Sequence, residues 1–234
     1  MIAQVAIAGR PLGLARACAM ALVGIDAQPI DVEVCCTRGP AFFQLVGLAE
    51  AAVREARVRV AGALASLGVL LDEYAITVNL APAELRKSGA SLDVAIACAI
   101  LAAIGRLPAE SLDRTLLLGE LSLGGRLQPV RGVFPQLRCA QSQQLSRAIV
   151  PEANRAEAGL VQGLEVTPAS DLQSVWAHLS GQHQLPAVTP TAFVPEASRP
   201  FCDFSAIRGQ GAARRALEIA AAGGHNALLV GPPG

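Results

Sequence analysis

The chain has 234 residues, of which 52% are hydrophobic and 16% charged, and this composition excludes an intrinsically disordered protein. The 19 Lys and Arg residues balance 19 Asp and Glu residues, so no overall charge attracts the protein to nucleic acid or to an acidic membrane. No run of about 18 apolar residues predicts a membrane span. Arg10 and Arg16 interrupt the apolar N-terminus, which argues against a signal peptide. We therefore expect a soluble, cytoplasmic protein with no membrane partner.

The cysteines and histidines do not predict a metal site. No CxxC pair occurs, and most of the cysteines lie in apolar runs, where a thiol behaves as a small hydrophobe. We expect reduced, buried thiols, with disulfides and metal sites as the alternatives. The three histidines, His178, His183 and His225, match no metal-binding pattern, and Lys87 is the only lysine. The six cysteines are Cys18, Cys35, Cys36, Cys98, Cys139 and Cys202.

Strand and helix patterns alternate through the first part of the chain. Apolar and polar residues alternate at 31–36, and apolar residues recur at spacings of three and four over 50–67. The predicted elements, in chain order, are strands at 15–22, 31–36 and 42–46, a helix at 50–67, a strand at 75–80 and a helix at 92–104.

The pattern continues with a hairpin of arms 115–121 and 126–130, whose turn is at Gly124 and Gly125. The elements predicted after it are a helix at 133–143, a strand at 148–151, a helix at 152–159, a strand at 165–166 and a helix at 171–179. We assign residues 14–180 to one α+β domain, preceded by an extra segment at 1–13.

The composition of residues 181–202 predicts a linker, because prolines recur there among small polar residues. A new pattern begins at 203, with a helix at 209–222 and a short apolar run at 226–230. This run, Asn-Ala-Leu-Leu-Val, is typical of a buried parallel strand. Gly231, Pro232, Pro233 and Gly234 follow it directly.

The four final residues match the first half of a phosphate-binding P-loop. The full pattern, G-x-x-x-x-G-K-[ST], lies between a buried strand and a helix, and its backbone N–H groups surround the phosphate oxygens. Its lysine reaches the β/γ-phosphates and its hydroxyl holds Mg²⁺. The sequence ends before the lysine and the hydroxyl, so we expect this chain to be a fragment that neither hydrolyses ATP nor binds it tightly.

The segment 207–234 resembles the opening of the AAA+ module in the magnesium-chelatase-like family, which includes the ComM/YifB proteins. The resemblance implies that Ile207, Arg208, Gly209 and Gln210 lie on the nucleotide side and that Gly231–Gly234 belong to the Walker A loop. It also implies ATP and Mg²⁺ as cofactors of a complete protein that works as a hexameric ring.

The resemblance extends to the first domain. The family's N-terminal domain has the fold of the Lon protease proteolytic domain, which is related to the second domain of ribosomal protein S5. The segments that resemble the family are 21–27 (ALVGIDA), 39–42 (GPAF), 46–48 (VGL), 51–57 (AAVREAR), 77–83 (TVNLAPA), 119–121 (GEL) and 130–133 (VRGV).

Likeness to Lon raises the question of a serine–lysine protease. Lys87-Ser88-Gly89-Ala90-Ser91 matches the spacing of the serine loop, but Phe134 stands where the catalytic lysine is implied. Phenylalanine cannot exchange a proton, and the guanidinium of Arg131 stays protonated. We therefore predict no catalytic residues in this chain, and we predict that Ser91 caps the following helix.

Without a catalytic serine–lysine pair, the first domain is expected to be a scaffold or a binding surface. A nucleic-acid patch of five cationic residues is one alternative; the other is that these charges pair with Glu50 and Glu55 at helical spacing. The five are Arg54, Arg57, Arg59, Arg86 and Lys87.

Three functions remain open from the sequence. The resemblance to ComM implies a branch-migration helicase that acts on branched or single-stranded DNA in natural transformation and recombination. The second alternative is a chelatase-like ATPase that remodels a metal-inserting partner. The third is a stand-alone, non-catalytic interaction module.

Overall fold

The computed structural model describes residues 11–47, 51–85, 91–191 and 203–231. The chain separates into two units, one that ends at Ala192 and one that begins at Phe193. This boundary falls inside the predicted linker. Every strand of the described residues belongs to the first unit.

Nine strands and five α-helices make up the described part of the first unit. The strands are β1 (Pro11–Val23), β2 (Asp26–Arg38), β3 (Phe42–Val46), β4 (Tyr74–Ala81), β5 (Thr115–Leu117), β6 (Glu120–Leu121), β7 (Leu127–Gln128), β8 (Arg147–Pro151) and β9 (Glu165–Ala169). The α-helices are α1 (Ala51–Ser66), α2 (Asp93–Ala103), α3 (Val133–Ser142), α4 (Arg155–Ala158) and α5 (Leu172–Leu179).

Seven of these strands form one mixed sheet, in the order β3-β4-β2-β1-β5-β8-β9. Strand β2 is antiparallel to both of its neighbours, β1 and β4. The other four neighbouring pairs run parallel. Strands β6 and β7 form a separate antiparallel hairpin. The first unit is therefore a mixed α/β domain with a mostly parallel sheet.

The main core lies between one face of the sheet and helices α1, α2 and α5. Alternate residues of β2, among them Val32 and Val34, are fully buried on this face, as the period of a strand requires. Every residue of α2 except Ala102 is buried, which is expected of a helix that is apolar all round. A second cluster, which includes Leu137 of α3, covers the opposite face of β5, β8 and β9.

Most of the predicted elements are confirmed, with longer strands. Strand β3 has the predicted bounds, and α1, α2 and α3 lie within a residue or two of theirs. Strands β1 and β2 are longer than predicted because they form one hairpin, in which Val23 pairs with Asp26. Gly24 makes this tight turn possible, since its φ of 65° is costly for other residues.

The prediction of one hairpin over 115–130 is wrong in its first arm. Thr115–Leu117 is β5, a central strand of the large sheet between β1 and β8, and the hairpin consists of β6 and β7 alone. The chain leaves the sheet at Gly119, whose φ of 151° ends the regular strand. The predicted helix at 152–159 is also divided, into a 3-10 turn at Glu152–Asn154 and the short helix α4.

In the second unit, helix α6 (Gly211–Gly223) is confirmed close to its predicted bounds. The predicted buried strand at 226–230 is wrong for this chain, because those residues form no strand and Leu228 and Val230 are 88% and 89% exposed. A buried parallel strand needs neighbouring strands to hydrogen-bond with. The described residues of the second unit supply none.

The segment predicted as a linker is described only up to Thr191, and residues 192–202 lie outside the described residues. Residues 184–191 form no helix or strand, as expected of an extended segment. They nevertheless donate backbone hydrogen bonds to the first unit: Val188 to Val166 and Thr191 to Gly159.

Candidate functional site

Among the residues that the structure describes, the fully buried charge of the first unit lies at the junction of α1, α2 and β6. Arg59 comes from the middle of α1, and Asp93 is the first residue of α2. The side chain of Asp93 is fully buried, and that of Arg59 is 17% exposed. Two ionic groups so far from water require close pairing.

The pairing is bidentate. Arg59 Nε donates to Asp93 Oδ2 at 2.6 Å, and Arg59 Nη2 donates to Oδ1 at 3.1 Å. The backbone N–H of Leu121 in β6 also donates to Asp93 Oδ2, at 3.0 Å. A single carboxylate therefore connects two helices and the β6–β7 hairpin. Glu55, one turn before Arg59, adds a longer contact of 3.9 Å.

The electrostatics of this junction are those of a structural ion pair. Burial raises the pKa of the Asp93 carboxyl, while the hydrogen bonds from Arg59 and Leu121 oppose this change. The hydrogen bond to Asp93 raises the pKa of Arg59, so the guanidinium stays charged. A permanently charged guanidinium cannot act as a general base.

Gly119 closes the junction through its backbone. Its N–H donates to the Ser91 carbonyl at 3.0 Å, and its carbonyl accepts from the Val94 N–H at 3.2 Å. A Cβ atom at this position would lie 2.8 Å from a methyl of Val94. The close approach of the two segments therefore requires glycine.

Ser91 lies at this junction but does not cap α2. The residue before the helix is Leu92, and within the described residues the Ser91 hydroxyl makes no hydrogen bond. The prediction of a serine cap is therefore wrong. Asp93 places a negative charge in the first turn of α2, where the helix dipole favours an anion. The rest of the serine loop, residues 87–90, lies outside the described residues.

Phe134 is in the first turn of α3, next to the tip of the β1–β2 hairpin. It is 39% exposed and lines a shallow groove with Ile25 and Arg138. Its backbone N–H donates to Glu157 Oε1 at 2.8 Å. The phenyl ring offers no group that could take up a proton, so the position implied for a protease lysine carries no base.

The proposed basic patch loses one of its members. Arg59 is directed at Asp93 and Glu55, so it is not available to a phosphate, whereas Arg57 on the same helix is exposed. The side chains of Arg54, Arg86 and Lys87 lie outside the described set.

The second unit holds the residues implied to lie on the nucleotide side. Ile207, Arg208, Gly209 and Gln210 are exposed and directly precede α6. Gly209 and Gln210 have positive φ values of 72° and 52°, which turn the chain sharply into the helix. Arg214, one turn into α6, directs its Nη1 to the Ile207 carbonyl at 3.5 Å.

Of the four residues that match the Walker A pattern, Gly231 alone lies within the described part of the chain. Gly231 is described and exposed, whereas Pro232, Pro233 and Gly234 lie outside the described residues. Gly231 has no atom within 4 Å of the Cβ position that another residue would add.

The described ranges contain no cluster of three His, Cys, Asp or Glu residues that could hold a metal ion. The five cysteines in these ranges are free thiols, and Cys202 lies outside them. None of the described helices is both long enough and apolar enough to cross a membrane.

Comparisons with known proteins point to one family. The family model described as subunit ChlI of Mg-chelatase matches residues 32–154. The model described as magnesium chelatase, subunit ChlI, matches residues 203–234. The two matches lie on either side of the predicted linker.

Individual relatives of the chain point to the same family. The chain is 43% identical over 214 residues to the uncharacterized protein YifB of Escherichia coli, covering 92% of this chain and 42% of YifB. It is 40% identical over 228 residues to the competence protein ComM of Haemophilus influenzae, covering 95% of this chain and 44% of ComM. The chain thus spans less than half the length of these relatives. Lon protease 2 of Bacillus subtilis is 30% identical over 114 residues, 48% of this chain.

Sequence reasoning missed the principal contact of the junction. It assigned no role to Asp93, and it gave Arg59 either a place in a basic patch or a pairing with Glu50 and Glu55. The two residues are 34 positions apart, and no periodicity connects them. The available signal was an acidic residue at the start of an otherwise apolar helix, since a buried charge requires a partner.

Proposed function

The chain belongs to the magnesium chelatase ChlI family, in its ComM/YifB type, and we propose that it is the N-terminal part of a chelatase-like AAA+ ATPase that moves branched DNA. In this proposal the second unit begins the ATPase module. The first unit is a non-catalytic domain of the Lon and ribosomal S5 domain 2 type.

The observation that carries the proposal is the likeness to ComM, which extends over 95% of this chain. ComM is named a competence protein, which supports a role in DNA uptake and recombination. A cytoplasmic hexameric ring around DNA is the assembly we propose, with the domain bounds 14–180, 181–202 and 203–234.

ATP and Mg²⁺ are the proposed cofactors. The match of residues 203–234 to the chelatase family ends on Gly-Pro-Pro-Gly, the first half of a Walker A loop. Ile207–Gln210 are proposed to lie beside the nucleotide, and Gly231–Gly234 beside its phosphates. The lysine and the hydroxyl of the pattern are needed for tight binding of Mg·ATP.

A proteolytic role for the first unit is not proposed, although part of the chain resembles Lon protease 2. The described residues at the junction contain a serine without an activating hydrogen bond and an ion pair between Arg59 and Asp93. A serine nucleophile needs a base within hydrogen-bond reach, and Phe134 offers none.

Two experiments test the proposal. Sequencing the gene past codon 234 is expected to show Thr-Gly-Lys followed by Ser or Thr; a stop codon at that point would instead support a stand-alone interaction module. The complete protein is then expected to move a four-way DNA junction when it hydrolyses ATP, and a variant without the loop lysine provides the matched control.

A second function is favoured by the chelatase family itself. If the complete protein hydrolyses ATP but leaves branched DNA in place, and a metal-inserting partner stimulates the hydrolysis, it is a remodelling ATPase of the chelatase type. That outcome would retain the ATPase part of the proposal and overturn the helicase part.

A further inference from the structure

Residues 182–191 lie against the first unit, and we call them the strap. Gln182 and His183 donate their backbone N–H groups to the Ala177 carbonyl, at 2.9 and 3.1 Å. Val188 donates to the Val166 carbonyl at 2.7 Å, and Thr191 donates to Gly159 at 2.8 Å. The strap therefore has contacts with α5, β9 and the end of α4.

The side chains of the strap support this docking. Leu185 and Val188 are its half-buried residues, and Leu185 packs against the main core. Val188 bonds to β9, which is an edge strand of the large sheet. An edge strand presents unpaired backbone groups, so the strap covers part of an exposed edge.

One anchor of the strap is a side chain that titrates. His178, near the C-terminal end of α5, accepts the backbone N–H of Leu185 at Nδ1, with a distance of 3.1 Å. Only an unprotonated nitrogen can accept this hydrogen bond. In the imidazolium form both ring nitrogens carry hydrogen, and the Leu185 N–H would then face another donor.

The surroundings of His178 favour the neutral form. Burial lowers the pKa of His178, and Arg147 on β8 and His183 in the strap lower it further. Glu165 at the start of β9 acts in the opposite direction. The pKa of His178 is therefore below the ordinary value for histidine, which favours the neutral imidazole.

We propose that the strap is a proton-sensitive latch: neutral His178 holds the strap at Leu185 against the first unit, and protonation of His178 frees the strap at that point. Because the folded pKa is lowered, the stabilisation by His178 is present above its unfolded pKa and is lost as the pH falls through the folded pKa. The latch does not depend on the proposed ATPase function.

Amide hydrogen exchange of the 234-residue chain, resolved by NMR, tests the latch. Protection of the Leu185, Val188 and Thr191 amides, corrected for intrinsic exchange, is compared at about pH 7.5 and about pH 5, on either side of the histidine range. We expect protection at Leu185 to fall about five- to tenfold at the lower pH, the effect of losing one hydrogen bond. The amide of Val32 in the core should keep its protection.

Three variants separate the latch from a general effect of acid. His178→Phe removes the acceptor and should lower Leu185 protection at both pH values. His178→Asn places a non-titrating oxygen near the position of Nδ1 and should keep protection at both. His183→Asn should retain the pH response of the wild-type chain. Equal protection of Leu185 at both pH values in the wild-type chain, or an unchanged pH response in His178→Asn, would overturn the proposal.

Discussion

Arg59 of α1 and Asp93 of α2 form a two-point ion pair, with Nε–Oδ2 and Nη2–Oδ1 distances of 2.6 and 3.1 Å. Asp93 is two residues from Ser91, the serine implied by likeness to the Lon proteases. The carboxylate also accepts the Leu121 N–H, so both of its oxygens are hydrogen-bonded within the fold. The junction is therefore arranged for rigidity, and its polar groups hold α1, α2 and the β6–β7 hairpin together.

Removal of one member of this pair should destabilise the first unit strongly. Asp93→Ala leaves the part-buried Arg59 guanidinium without this carboxylate, and we expect a loss of about 3–5 kcal/mol in the free energy of unfolding. Urea denaturation followed by the fluorescence of Trp176 measures this, because that residue is the only tryptophan and lies in the first unit.

Controls for this prediction come from the same helices. Arg57→Met, at an exposed position of α1, should change stability by about 0.5 kcal/mol or less. Arg59→Met combined with Asp93→Leu removes both charges and should recover a large part of the loss. If Asp93→Ala is as stable as the wild-type chain, the ion pair does not hold the junction.

The hydroxyl of Ser91 should be dispensable. It makes no hydrogen bond within the described residues, so Ser91→Ala should change the free energy of unfolding by about 0.5 kcal/mol or less. A fluorophosphonate probe for activated serines should leave the wild-type chain unlabelled. Labelling that disappears in Ser91→Ala would show an activated nucleophile and contradict the assignment of a non-catalytic domain.

Local pattern predicted most elements, and long-range contacts account for the errors. The helical period of α1 and the alternation of β2 relate residues that are only a few positions apart, so the sequence is enough to predict these elements. The Arg59–Asp93 pair joins positions 34 residues apart, and nothing local connects them. The apolar run at 226–230 has the composition of a strand, but a strand exists only with neighbours.

The same reasoning explains β5. Thr115–Leu121 looks like one arm of a hairpin until Gly119 divides it, and the division becomes visible only when the parallel neighbours of Leu116, on β1 and β8, are known. For the candidate site, the likeness to a family located Ser91 and Phe134. The structure was needed to show that Asp93 and Gly119 make the hydrogen bonds that hold this region together.

Burial should make Cys98 unreactive. Its side chain is fully buried in α2, and burial raises the pKa of the thiol to about 12. The thiolate is the reactive form, and well below that pKa it is nearly absent. Brief treatment of the native chain with iodoacetamide at about pH 8, read by mass spectrometry, should leave Cys98 unmodified, whereas the partly exposed Cys35 and Cys139 become labelled. Labelling of Cys98 at the rate of Cys35 would contradict its burial.

Gly119→Ala should destabilise the first unit through a defined clash. Gly119 has a φ of 151°, and an added Cβ would lie 2.8 Å from Cγ2 of Val94, so both backbone strain and overpacking oppose the substitution. We expect a loss of about 1–3 kcal/mol in the free energy of unfolding, measured by the same urea titration.

A matched glycine in the neighbouring turn separates this clash from the general effect of adding a methyl group. Gly124 has open space around its Cβ position, and Gly124→Ala should be neutral or slightly stabilising, because it reduces the entropy of the unfolded chain. Adding Val94→Ala to Gly119→Ala removes the clashing methyl, so its further cost should be smaller than the cost of Val94→Ala alone. Strictly additive losses for the two substitutions would show that Gly119 and Val94 are not coupled and that the strain lies in the backbone.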